Sequence, residues 1–280
     1  KTLKTRKKMT NIAQRTITGT VFVAVIIAAI LLGEATLATL TIIVSFLSLN
    51  EFNGLVKGKY NVNVPLVESC LGAVLMTAAI VLPLKYGLTL LFFIVPYYFV
   101  CMAIELFRKQ QDPVKTWAFF LLGQIYIAVP FALLNLIALS DKLIVLAIFV
   151  LIWVNDTFAY LTGMGTSKTI GNHKMFPRVS PKKSWEGLAG GAVMAVVASV
   201  IFSRLTDIAG FSTAVWIGLA IVIVVFGTIG DLCESIFKRT LGVKDSGTIL
   251  PGHGGMLDRF DSVLFATIGT IMYLGIITTI

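Results

Sequence analysis

Charge is scarce in this chain. Of 280 residues only 13% are Asp, Glu, Lys or Arg, while 57% are hydrophobic and the mean hydropathy is +0.91. A soluble domain carries about 25% charge, so there is too little polar surface here to cover a water-facing globule. Cysteine is also sparse. Cys70, Cys101 and Cys233 are odd in number and lack metal-binding spacing, which excludes a disulfide scaffold and a zinc module. Cys70 and Cys101 sit in apolar runs and read as small hydrophobes. No cleavable signal peptide is evident after Arg15, since no small-residue cleavage site follows and further apolar runs do.

What is abundant is long apolar sequence. Nine runs approach the ~20 residues that a bilayer-crossing helix needs: 16–32, 35–49, 65–83, 87–106, 116–139, 143–162, 188–202, 211–230 and 257–280. The expected fold is all-α, a polytopic integral membrane protein of about nine transmembrane helices with a cytoplasmic N-terminus. The orientation comes from Lys and Arg, which concentrate on the inner side. With the N-terminus inside, 20 of the 23 basic residues fall on inner segments, and only Lys85, Lys142 and Arg204 on outer turns. The net charge of +9 then belongs to a surface facing anionic lipid rather than to a nucleic-acid binder. Residues 1–142 form an N-terminal set of helices. Residues 143–280 form a C-terminal catalytic region with two polar cytoplasmic segments, 163–187 and 231–259.

Acids enter both segments. The run ending at Gly230 continues through Asp231, Glu234, Ser235 and Lys238 without a breaker before Gly242. Offsets of 3, 4 and 7 place these four on one helical face. Asp258 and Asp261, three apart at the start of the last run, share a face too. Carboxylates at a membrane edge are costly unless paired or bound to a cation, and like charges in proximity force one to take a proton. A hard divalent ion such as Mg²⁺ removes that conflict, using one or two carboxylates with water and substrate phosphate. The alternative is ion pairing of Asp231, Asp258 and Asp261 with Lys238, Arg239 and Arg259. Between the acids lies a loop rich in glycine, Lys244 to Gly255. Gly252, Gly254 and Gly255 permit close backbone approach, and N–H groups beside a helix start suit phosphate. His253 reads as a loop hydrogen-bonder, a phosphate donor or a proton carrier.

In the other segment, Asp156 is an ionisable residue within an apolar helix, hence a functional candidate or one half of a salt bridge. The stretch 163–169 lacks the glycine before Lys168 and the preceding strand of a Walker loop. Ser180-Pro181-Lys182-Lys183-Ser184 precedes Leu188, with Pro181 suited to a helix start, and Lys182 and Lys183 are placed to hold phosphate.

Ser235-Ile236-Phe237-Lys238-Arg239, Lys244-Asp245-Ser246-Gly247 and Pro251-Gly252-His253-Gly254-Gly255-Met256-Leu257-Asp258-Arg259-Phe260-Asp261-Ser262 together resemble the signature of phosphatidate cytidylyltransferases, the CDP-diacylglycerol synthases. Gly230-Asp231-Leu232 and Ser180–Gly187 resemble further motifs of that family. The resemblance implies a Mg²⁺-dependent nucleotidyltransferase of phospholipid biosynthesis. It would convert CTP and bilayer phosphatidic acid to CDP-diacylglycerol and pyrophosphate at the cytoplasmic face of the cell membrane. By position it implies metal-binding roles for Asp231, Asp258 and Asp261, and catalytic roles for Lys182, Lys183, Lys238, Arg239, Lys244, His253 and Arg259. Substrate binding falls to Asp156, Ser180, Gly252, Gly254 and Gly255. A second cation, monovalent or divalent, is compatible with the site, and so is a homodimer. The stretch 164–170 is longer than the family's usual link, which leaves Lys168 without a role. Two rival classes share parts of this pattern: another CTP-using membrane enzyme, such as a polyprenol kinase or archaeal-lipid cytidylyltransferase, and an ion transporter.

Overall fold

The computed structural model describes the backbone of residues 2–169, 171–205 and 210–279, and side chains from residue 13 onward except those of 84, 85 and 279. Among these residues the chain folds as nine helices and one short hairpin. The helices are α1 (Thr2–Leu32), α2 (Glu34–Tyr60), α3 (Leu66–Val81), α4 (Leu84–Arg108), α5 (Pro113–Ser140), α6 (Lys142–Thr169), α7 (Trp185–Leu205), α8 (Thr213–Thr240) and α9 (Leu257–Thr279). Eight are long and apolar enough to cross a membrane, and α3 is a shorter apolar helix of 16 residues. The protein is a polytopic all-α membrane protein.

The helix ends follow local chemistry. Gly33, at φ 126°, separates α1 from α2, a backbone angle that L side chains rarely adopt. Asn61 ends α2 in the left-handed conformation, its N–H bonded to the Lys57 carbonyl. Pro113 opens α5 at a position where its missing N–H costs nothing, and the Asp112 carboxylate accepts from the Lys115 N–H. Lys115 also pairs with Asp112 at 2.8 Å, and these contacts hold the Asp112 carboxyl below the usual range. Within α5, Gln124–Ala128 widen into a π-turn.

The chain divides into two compact units. The first comprises 1–136 with 241–260, the second 137–240 with 261–280. In the first, Ile30, Leu49, Phe52, Val56, Ile127 and Phe131 are enclosed. Two buried amides there donate to neighbouring elements or turns. The Gln124 amide donates to the Ser69 carbonyl at 2.9 Å, and Asn135 donates to Thr41 at 2.9 Å and to the Phe131 carbonyl at 2.8 Å. In the second, α7 packs on α6 through glycines. A Cβ at Gly187 would stand 2.8 Å from the Ala159 carbonyl oxygen, and one at Gly191 would stand 2.6 Å from that of Asn155. Removing the side chain lets backbones approach, the means by which membrane helices associate.

Three expectations change in detail. Run 35–49 continues as α2 to Tyr60, because the polar residues beyond Leu49 stay helical. Of the long link 164–170, residues 164–169 are the end of α6, where the Thr166 hydroxyl donates to the Thr162 carbonyl at 2.9 Å and Lys168 is exposed, and Ile170 lies outside the described residues. Pro181 does not start a helix. Ser180–Ser184 is a strand, antiparallel to Lys174–Phe176. Helix α7 starts one residue later, and the Ser184 hydroxyl accepts the Gly187 N–H at 3.1 Å, an N-cap contact.

Candidate functional site

The signature residues form two constellations, one in each unit. In the first unit the loop between α8 and α9 is built around a buried acid that the motifs do not contain. Glu51, on α2, is 7% exposed. Its Oε1 accepts from the Met256 N–H at 2.8 Å, and its Oε2 from the Leu257 N–H at 3.0 Å and the Ser246 hydroxyl at 2.8 Å. The carboxylate therefore caps α9, where a helix N-terminus carries partial positive charge and unpaired N–H groups. Asp258 closes the same loop. Its Oδ2 accepts from the N–H groups of Ser246 at 2.9 Å and Gly255 at 2.8 Å, and its own N–H donates to the Ser246 hydroxyl at 3.3 Å.

This arrangement explains two of the glycines. At Gly255 a Cβ would collide with the Ser246 hydroxyl and the Glu51 carboxylate, and at Gly254, whose φ is 85°, it would stand 2.7 Å from Asp258 Oδ2. The Gly255 N–H, anticipated as a phosphate donor, is directed inward to Asp258. His253 and Gly252 stand at the outer turn of the loop, where the His253 N–H bonds the Leu250 carbonyl at 2.9 Å. Lys244 and Arg259 are exposed.

In the second unit α8 runs past its apolar stretch, as its sequence requires, and presents Asp231, Glu234, Ser235 and Lys238. Lys183, from the hairpin strand, meets Asp231 Oδ2 with its Nζ at 2.5 Å. The Ser235 hydroxyl donates to Asp231 Oδ1 at 3.3 Å. Glu234 is fully buried, and Lys238, itself 8% exposed, pairs with it at 3.3 Å. Asp261, on α9, lies within reach of Asp231, Glu234 and Lys238, and accepts from the Ser262 N–H at 2.6 Å. Gly230 makes this approach feasible, since a Cβ there would stand 2.5 Å from the Asp261 carbonyl oxygen.

Asp231 and Asp261 are thus brought together with two lysines. Asp258 stands one turn before Asp261 on α9 and engages the loop. Among the described residues no three His, Cys, Asp or Glu side chains are gathered for a metal. Two opposed carboxylates are nonetheless a fitting donor set for Mg²⁺, a hard ion that takes one or two carboxylates and completes its shell with water and phosphate.

The remaining candidates flank these constellations in sequence. Asp156 is exposed on α6, and Asn155 donates to it at 3.3 Å. Lys182 and Arg239 are exposed, and Ser180 is half-buried in the hairpin. Much of the segment Ser180–Gly187 is architectural. His173 bonds Glu186 through Nδ1 at 2.6 Å and through its backbone N–H, and the Trp185 N–H returns to the His173 carbonyl at 3.0 Å. What the hairpin delivers is Lys183.

Residues 13–277 match the model of the cytidylyltransferase family. The chain is 33% identical over 257 residues to a phosphatidate cytidylyltransferase of Staphylococcus saprophyticus, covering 90% of this chain and 94% of that protein. It is similar to proteins of the same name from Staphylococcus haemolyticus, at 31%, and Staphylococcus aureus, at 33%, over the same shares of both chains. The two constellations therefore stand on a chain that belongs to the cytidylyltransferase family.

Proposed function

We propose that the protein is a phosphatidate cytidylyltransferase, joining CTP to phosphatidate to give CDP-diacylglycerol and pyrophosphate in the cell membrane. The observation that carries this reading is the pairing of Lys183 with Asp231 beside Asp261 and Lys238, on the polar extension of an apolar helix. A water-soluble nucleotide and a membrane-held lipid phosphate can meet only where a charged site adjoins the bilayer. The distribution of basic residues supports a cytoplasmic position for that site.

In the reaction, an oxygen of the phosphatidate phosphate attacks the α-phosphorus of CTP, and the bond to the pyrophosphate oxygen breaks. A phosphomonoester is largely ionised at neutral pH, with a second pKa of about 6, so the residues need not supply a strong base. Asp231 and Asp261 would hold Mg²⁺, which supplies charge neutralisation for the triphosphate and the leaving pyrophosphate. Lys183 then exchanges its carboxylate partner for a phosphate oxygen, and Lys238 offsets the buried charge of Glu234. Asp258 and Glu51 fix the loop and the start of α9, and so fix Asp261 one turn further on. Positioning and electrostatics of this kind supply most of the catalysis in phosphoryl-type transfers.

The test is purified protein with phosphatidic acid, radiolabelled CTP and Mg²⁺. Expected are labelled CDP-diacylglycerol and one pyrophosphate per lipid. Release of CDP instead would identify a kinase, and no lipid product with any acceptor would sink the reading.

A further inference from the structure

A groove of about 670 Å³ runs along α1 in the first unit, lined by Arg15, Thr16, Gly19, Thr20, Val23, Ala24, Ile27 and His253. Its composition is graded. The hydroxyls, the guanidinium and the imidazole lie toward residue 15, where the apolar span of α1 begins at Ala13. The aliphatic residues lie deeper in the span. Thr16 to Ile27 extends about 16 Å along a helix axis at 1.5 Å per residue.

Two glycines shape the polar end. A Cβ at Gly19 would stand 3.4 Å from His253 Nε2, so the bare helix surface there lets the imidazole lie against α1. A Cβ at Gly252, whose φ is 77°, would stand 2.8 Å from Arg15 Cγ, so the arginine stem lies across the loop backbone. The His253 ring lines the groove, with Nε2 and Cε1 the atoms nearest Gly19. Arg15 makes no ion pair among the described residues. An arginine at the membrane edge beside an imidazole suits a lipid phosphate, which a guanidinium can hold through two parallel hydrogen bonds.

We propose that this groove seats the lipid substrate, with Arg15 and His253 taking the phosphomonoester of phosphatidate and Val23, Ala24 and Ile27 taking the first part of an acyl chain. The grading selects the occupant, because free phosphate or a nucleotide would leave the aliphatic stripe without a partner. The assignment rests on the proposed reaction for its substrate and on the groove alone for its chemistry. It makes Arg15 a substrate-binding residue and gives His253 a contact with the lipid phosphate.

Steady-state kinetics in mixed micelles test the first point. Arg15→Gln should raise KM for phosphatidate about tenfold while KM for CTP stays within about twofold, and Arg15→Lys should recover part of the loss. Gly19→Leu, which fills the groove, should act in the same direction. Equal KM values for phosphatidate in wild type and Arg15→Gln would overturn the proposal. The second test needs no turnover and uses the wild-type protein. Phosphatidate carrying a diazirine near the glycerol end of one chain should crosslink to residues 16–27, and unlabelled phosphatidate should compete while phosphatidylcholine does not. Equal labelling by a diazirine phosphatidylcholine would reduce the groove to ordinary lipid contact. A wild-type protein that makes no CDP-diacylglycerol but shows selective crosslinking would sink the reaction and leave the groove standing.

Discussion

Two adjacent lysines in the hairpin offer a direct comparison. Lys183 is paired with Asp231, while Lys182 is exposed. If positive charge served only membrane orientation, both would tolerate loss, since many inner basic residues remain. Lys183→Ala is expected to lower kcat/KM for CTP roughly tenfold or more, about 1.4 kcal/mol, with membrane insertion unchanged. Lys182→Ala should cost much less. Full activity in Lys183→Ala would remove it from the site. Asp231→Asn and Asp261→Asn should each lower kcat by about two orders of magnitude, with higher Mg²⁺ restoring little because a carboxylate is missing. Glu51 makes a different prediction. Glu51→Ala strands two buried N–H groups and a hydroxyl, roughly 3 kcal/mol or more. It should lower the midpoint of thermal unfolding in detergent and impair activity with it, whereas Glu51→Gln, which keeps an acceptor, should lose less. An unaltered midpoint in Glu51→Ala would contradict the capping role. The acids of α8 and α9 were legible in the sequence because offsets of three and four fix a face. Glu51 was not, because it lies just beyond Leu49, where the apolar run stops and nothing local marks the helix as continuing. Its partners are distant in sequence, beyond the reach of periodicity.

Among the elements, helices were read from their apolar length and their ends were not. Polar residues end an apolar run but not a helix, and α2 and α6 continue beyond their apolar stretches; only for α8, with no breaker before Gly242, was the continuation to Thr240 legible. The hairpin escaped because Lys174–Phe176 and Ser180–Ser184 have too few residues for alternation to show, and Pro181 was read as opening a helix. Proline is equally at home in an edge strand. That local misplacement has a measurable consequence. With the true helix start at Trp185, Ser184 is the cap and is 4% exposed. Ser184→Ala should destabilise the protein by about 1 kcal/mol, and Ser184→Thr should retain the cap. Gly187, one turn into α7, has no such latitude, since any side chain would press on the Ala159 carbonyl. Gly187→Val is expected to separate α6 from α7, with loss of folded protein in detergent. A well-folded Gly187→Val would contradict the packing.

For the molecule as a whole, chain order and charge together make one topological statement. Two spans, α7 and α8, separate the hairpin from the glycine loop, so Arg178 and Thr248 must face the same side of the membrane. With 20 of 23 basic residues on the segments assigned inside, the charge rule predicts that this side is the cytoplasm. Thr248 is a suitable reporter because it is exposed, whereas nearby Ser246 is buried against Glu51. In a background with Cys70, Cys101 and Cys233 replaced, Arg178→Cys and Thr248→Cys should both resist an impermeant maleimide in intact cells and react in inverted vesicles. Ser140→Cys, at the exposed last residue of α5, should show the opposite pattern. Labelling of Arg178→Cys and Thr248→Cys from opposite sides would break the span count. Labelling of both from outside would reverse the orientation and place the proposed chemistry where CTP is not supplied. The measurement therefore bears on function as much as on topology, because the site needs its nucleotide from one side and its lipid from within the bilayer.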